Sequence, residues 1–124
     1  MAFGRVIREG ISGSLNSSGW YMVEIPVEHF LVKVNLIALQ MSSVHSAATK
    51  IKIVASRDSA GDQQMITSTE STNFDGCTTP ALKSASYRPE AIMPANDENK
   101  IYLLFQLNAQ TATLDSVLVT YEYD

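Results

Sequence analysis

The chain has 124 residues, 45% of them apolar and 18% charged, with nine Lys and Arg against thirteen Asp and Glu. That size and balance predict one domain with a single hydrophobic core and argue against disorder. A net charge of −4 disfavours attachment to nucleic acid or an anionic membrane, and the lone cysteine, Cys77, excludes an internal disulfide and any all-cysteine metal cluster.

The first ten residues, M-A-F-G-R-V-I-R-E-G, carry charge at Arg5, Arg8 and Glu9 where a secretory leader would be apolar, so they read as a mature start. The most apolar windows, residues 30–41 and 101–107, fall short of the roughly 20 residues a spanning helix requires, and a soluble protein is expected. Cys77 then reads as a small, partly buried side chain in a protein made in a reducing cytoplasm. Residues 1–19 hold Gly4, Gly10, Gly13 and Gly19 among serines, with Val6, Ile7, Ile11 and Leu15 isolated between them. This predicts an extended N-terminal arm, 1–19, ahead of a body, 20–124. The arm's apolar residues need a surface to lie on, either the same subunit or a neighbour.

From Trp20 to Val27 apolar residues come near alternation around Pro26, the pattern of an edge or irregular strand. Residues 30–41, F-L-V-K-V-N-L-I-A-L-Q-M, are apolar on both parities, as in a strand central to a sandwich or one facing a partner; a helix is the rival reading. Residues 41–50 read as a loop. Residues 50–57 alternate, with Ile51, Ile53 and Ala55 predicted inward. Asp58 to Asp62 form a turn around Gly61, and residues 63–69 return as the second arm of a hairpin.

Residues 70–99 read as a long polar connection that crosses between sheets or covers an edge, anchored by Leu82, Tyr87, Ile92 and Met93. The turn Asn96-Asp97-Glu98-Asn99 leads into a strongly apolar strand, 100–107. A second turn at 108–111 precedes a closing strand, 113–123, with the Val117, Val119, Tyr121 parity inward. The fold class is all-β: an antiparallel β-sandwich with jelly-roll or Greek-key connections.

No phosphate-binding glycine loop or nucleophile elbow is present; Gly10-Ile11-Ser12-Gly13-Ser14 lacks the strand-turn-helix setting an elbow needs. Glu24 and Glu28 share one strand face while His29 points to the other, so they read as solvated residues beside Pro26. His45 lies among serines without a nearby acid. Asp58 and Asp62 do not make a calcium loop, although Asp97, Glu98 and Asp115 could meet at one end of a sandwich. The aromatics Trp20, Tyr21, Tyr87, Tyr102, Tyr121 and Tyr123 read as core or interface packing before a sugar-stacking platform. No catalytic residue, metal site or cofactor is expected, and the chain reads as a non-enzyme.

The order of features carries more than any one site. An apolar strand passes into the Ser- and Ala-rich segment ending at Ala48, then the hairpin I-K-I-V-A-S-R-D-S-A-G-D (51–62), a Thr-rich stretch, K-I-Y-L-L-F-Q-L-N-A (100–109) and a closing strand, 114–121. Over about residues 30–124 this layout resembles small β-sandwich virion proteins of tailed bacteriophages, of the capsid decoration or cement type. The resemblance rests on layout, not on a signature motif. It implies a structural subunit on the capsid surface, made in the host cytoplasm, oligomeric with a trimer favoured, and partnered by the major capsid protein.

The residues support assembly without that resemblance, because apolar groups occur on both parities and titratable groups do not converge. Phe3, Val6, Ile7, Ile11 and Leu15 are the expected arm contacts, with Trp20 and Tyr21 as aromatic anchors. On this reading, removing residues 2–15 leaves the sheet intact and abolishes assembly. The alternative is a carbohydrate-binding sandwich, which requires at least two exposed rings on one face or in one end loop, with Trp20 and Tyr87 the candidates.

Overall fold

The computed structural model describes residues 2–44, 50–68, 72–73 and 81–124. Among these, every regular element is a strand: β1 (Ala2–Arg8), β2 (Gly13–Leu15), β3 (Tyr21–Pro26), β4 (Leu31–Val44), β5 (Lys50–Ser56), β6 (Gln64–Thr67), β7 (Thr72–Asn73), β8 (Ala81–Tyr87), β9 (Ala91–Pro94), β10 (Lys100–Leu107) and β11 (Ala112–Tyr123). In the first sheet β11 and β4 are central. β1 and β2 follow one another along the outer side of β11, and β8 and β9 do the same along β4. The second sheet runs β3-β10-β5, with β6 and β7 sharing the far side of β5.

Counting each shared position once leaves eight strand positions, ordered 1-8-3-6 in one sheet and 2-7-4-5 in the other. That order, with all pairings antiparallel, is the jelly-roll connection, and it decides between the two sandwich topologies the sequence left open. The core fills the space between the sheets. Val23, Ile25, Ile51, Ile53, Leu103 and Phe105 of one sheet meet Val34, Ile37, Leu39, Met41, Val117 and Val119 of the other.

The apolarity of residues 30–41 on both parities has a local cause. Val34 pairs with Tyr121 and Leu36 with Thr120, so Asn35 is an extra residue in β4. Such a bulge reverses which parity faces inward. Val32 and Val34 are buried before it; Ile37, Leu39 and Met41 are buried after it. Asp115 does the same in β11, bringing Leu114 inward ahead of the expected Val117, Val119 and Tyr121.

In β5, Ile51, Ile53 and Ala55 are buried as expected, and so is Val54 on the opposite parity. Loop 57–63 folds back over that outer face: a β-carbon on Gly61, at φ 80°, would lie 2.8 Å from Cδ1 of Leu104, the partner of Val54. Asp58 holds the loop. It accepts the backbone N–H of Gln63 at 2.8 Å and of Asp62 at 3.1 Å, and the Ser56 hydroxyl at 2.7 Å. These donors pull the Asp58 carboxyl below the usual range, the Ser56 hydroxyl most strongly.

Two expectations are corrected. The stretch 70–99 does cross between the sheets, one of the two roles expected of it, but it is more than a connection, because β7, β8 and β9 lie within it. Met93 is buried there as an anchor, but Ile92 points out to solvent. Residues 2–8 and 13–15, expected as arm, are strands hydrogen-bonded along β11, and Leu15 belongs to the core of its own subunit. Cys77 and His45 lie outside the described residues, as does the Ala48 end of the Ser- and Ala-rich segment.

Candidate interaction surface

Pairing register fixes what the outer face of the first sheet presents, since directly opposed residues share a face. Across the middle run Ile7, Leu118, Ala38 and Ser86; on one side lie Ser116, Gln40 and Ser84, and on the other Arg5, Thr120 and Leu36. Beyond these come Phe3, Glu122, Lys33 and Ile92, with Leu31 at the end. Small side chains on three adjacent strands, Ala38, Ser84, Ser86 and Ser116, leave a shallow groove of about 860 Å³ walled by Ile7 and Glu9 at one edge and Arg88 at the other. A smaller groove of about 150 Å³ at the opposite end holds Leu31, Lys33, Ile92 and Glu122. The Lys33 ammonium and Glu122 carboxylate pair at 3.7 Å between them.

This face collects much of the large apolar surface left open. Phe3 is 72% exposed, Ile92 67%, Leu31 55% and Ile7 48%. The expected contact residues therefore divide. Phe3 and Ile7 stand on the face, Val6 and Ile11 pack half-buried on their own core, and Leu15 is wholly enclosed. Tyr21 is half-buried, its ring so close to Gly13 that a β-carbon there would lie 2.6 Å from Cε2. Trp20, 38% exposed, lies beside the other sheet with the Lys52 ammonium 5.6 Å from its ring centre. Sequence reasoning missed Leu31 and Leu36 as surface groups, because the bulge at Asn35 conceals which parity faces out, whereas Leu118 lies outward as the inward Val117, Val119 and Tyr121 parity implies.

Among the described residues the titratable groups are dispersed. Glu24 pairs with Lys100 at 2.8 Å; that ammonium lowers the Glu24 carboxyl and is itself raised by the same bond. Glu28 sits in a turn at φ 62°, and His29 stacks on Tyr123 with centroids 3.6 Å apart. Asp97 and Glu98 line a groove with Arg57 and Asp58, whereas Asp115 accepts the Ser42 hydroxyl at the other end of the sandwich. Among the described residues no three His, Cys, Asp or Glu side chains gather as a metal site. Nor do the aromatics form one platform: Tyr87 reaches from β8 toward Thr67 of the facing sheet, far from Trp20 beside Lys52. No helix among the described residues is long and apolar enough to cross a membrane.

No family model matches the sequence, and no curated protein matches it. Solved structures do. An exo-β-1,3-galactanase from Phanerochaete chrysosporium, solved with galactose, aligns with a TM-score of 0.52 at 14% identity, over 95% of this chain and 27% of that one. A chain of infectious bursal disease virus, Gx strain, aligns at 0.46 with 9% identity, over 98% and 32% of the two chains. A family GH115 4-O-methyl-α-glucuronidase aligns at 0.43 with 11% identity, over 100% and 16%. The chain thus spans about a quarter of the galactanase. At such identity the likeness is one of fold, and it defines the class as a jelly-roll β-sandwich.

Proposed function

We propose that the chain is a non-enzymatic structural subunit that works by surface adhesion, a virion protein of the decoration or cement type that binds and stabilises a phage capsid. The observation that carries this reading is the outer face of the first sheet, where Phe3, Ile7, Leu31 and Ile92 remain exposed around two open grooves. Four large apolar side chains left in water on one sheet face, set among charged and small polar neighbours, mark an interaction surface, because leaving them there costs free energy that a partner recovers. The dispersal of the ionisable groups among the described residues supports the same reading. Its partners on this proposal are copies of itself and the major capsid protein, and its place is the capsid surface.

A second reading, carbohydrate binding, is favoured by the larger groove, whose Gln40, Ser84, Ser86, Ser116, Glu9 and Arg88 offer hydrogen bonds beside the apolar Ile7 and Leu118. One comparison separates the two. Shells banded on a density gradient from the producing cells are probed for the chain, and the purified chain is applied to a glycan array. Recovery of the chain with the shells at a fixed copy ratio is expected. Recovery in the free-protein fraction alone, with glycan binding abolished by Gln40→Ala, would replace the first reading by the second.

A further inference from the structure

The exposed face of the first sheet is uneven in a directed way. One end is bulky, with Phe3, Leu31 and Ile92 standing out; the other is hollow, floored by Ser84, Ser86 and Ser116. Charge is distributed in the same sense along its β1 edge, where Arg5 lies two residues before Ile7 and Glu9 two residues after it. We infer that this face is the self-association surface of the chain, and that its occupant is the same face of a second copy. The two copies are related by a twofold axis that runs across the strands along the row Ile7, Leu118, Ala38, Ser86. This deepens the adhesion reading above and rests on it.

Rotation about that axis keeps each strand over its own copy and reverses the order of the rows. Bulky ends then lie over hollow ends, twice, as a closed isologous contact demands. Arg5 of each copy comes opposite Glu9 of the other, also twice, while Ile7 and Leu118 meet their own equivalents on the axis. The axis row itself holds no charge, so no like charges are forced together at its centre.

The dimensions suffice. Four strand positions at about 4.8 Å, and central strands of 12 and 14 residues at about 3.3 Å each, give a face of roughly 19 by 40 Å, near the ~800 Å² per partner of a standard stable interface. The opposite face of the sandwich is less suited, because loop 57–63 already covers Leu104 there.

The test is sedimentation velocity of the full chain from about 1 to 100 µM, a span that brackets micromolar association. A dimer is expected. Ile7→Asp, at an exposed position, should give a monomer with unchanged circular dichroism. Arg5→Glu should weaken the dimer on the order of tenfold through two like-charge contacts, and adding Glu9→Arg should restore it. A wild-type monomer throughout the range, a dimer indifferent to Ile7→Asp, or an Arg5→Glu defect that Glu9→Arg leaves uncorrected would each overturn the inference. A monomer that still bands with shells removes self-pairing alone; a dimer that never does so removes the shell reading alone.

Discussion

The ring of Tyr121 occupies the space that a side chain on Gly4 would need. The two residues are directly paired between β11 and β1, and a β-carbon on Gly4 would lie 2.6 Å from the Tyr121 hydroxyl oxygen and closer still to the ring. An edge strand is thereby fastened by a ring folded across a glycine, which covers backbone that glycine leaves bare. The ring reaches past β1 to donate its hydroxyl hydrogen to the Val27 carbonyl at 3.1 Å.

Gly4→Ala should therefore destabilise the protein by about 1–3 kcal/mol, the cost of overpacking a filled site. Gly19→Ala is the control, because a β-carbon there meets nothing within 4 Å, and it should stay within about 0.5 kcal/mol of wild type. Urea unfolding measures both. In a Tyr121→Ala background the Gly4→Ala penalty should disappear; an undiminished penalty would mean that the ring is not its cause.

Tyr121 also sets a pH limit. Burial raises its phenol above the ordinary value, with the negative charge of Glu28 and then Tyr123 adding to the effect. An acid whose folded pKa is raised contributes stability that is complete below its unfolded pKa and is lost as pH climbs through the folded value. Unfolding free energy should accordingly decline from about pH 10 upward. Tyr121→Phe should flatten that slope while costing about 1–2 kcal/mol at neutral pH, since the Val27 carbonyl loses its donor. Identical alkaline slopes in the two proteins would rule Tyr121 out.

Periodicity made the sandwich legible where strands are long and their inward residues branched, as in Ile51 and Ile53 or Val117 and Val119. The sequence was opaque where the backbone breaks period two. Asn35 and Asp115 look ordinary in sequence, yet each inserts one residue and reverses the faces after it. β8 was unreadable for a different reason: its solvent face is Ser84 and Ser86 and its core face includes Ala85, so no apolar alternation announces it. The candidate surface inherits both difficulties, because locating Leu118, Ala38 and Ser86 in one row requires the register.

A hydroxyl carries part of the second sheet. Where β6 ends, Ser68 donates its backbone N–H to the Ile53 carbonyl and accepts the Ile53 N–H on its side-chain oxygen, both at 2.8 Å. Ser68 is buried, so no water replaces the lost acceptor in Ser68→Ala. The variant should lose about 1–3 kcal/mol in urea unfolding and expose the Ile53 amide to faster hydrogen exchange. Unchanged exchange at Ile53 would show that the bond contributes nothing.

The N-terminal residues supply a last test, now with the opposite sign from the one an arm would give. Leu15 is fully enclosed, β2 pairs with the start of β11, and the Asn16 carbonyl accepts the Leu107 N–H at 3.0 Å. Leu15→Ala should cost about 2–5 kcal/mol, the range for emptying a core leucine site. Removing residues 2–8 strips one edge strand and leaves this plug in place, so cooperative unfolding should survive at a lower midpoint. Removing 2–15 extracts the plug as well, and the transition should become broad, with near-ultraviolet circular dichroism reduced. If the longer truncation instead unfolds as sharply as the shorter one, at the same midpoint, Leu15 is a passenger and not part of the core.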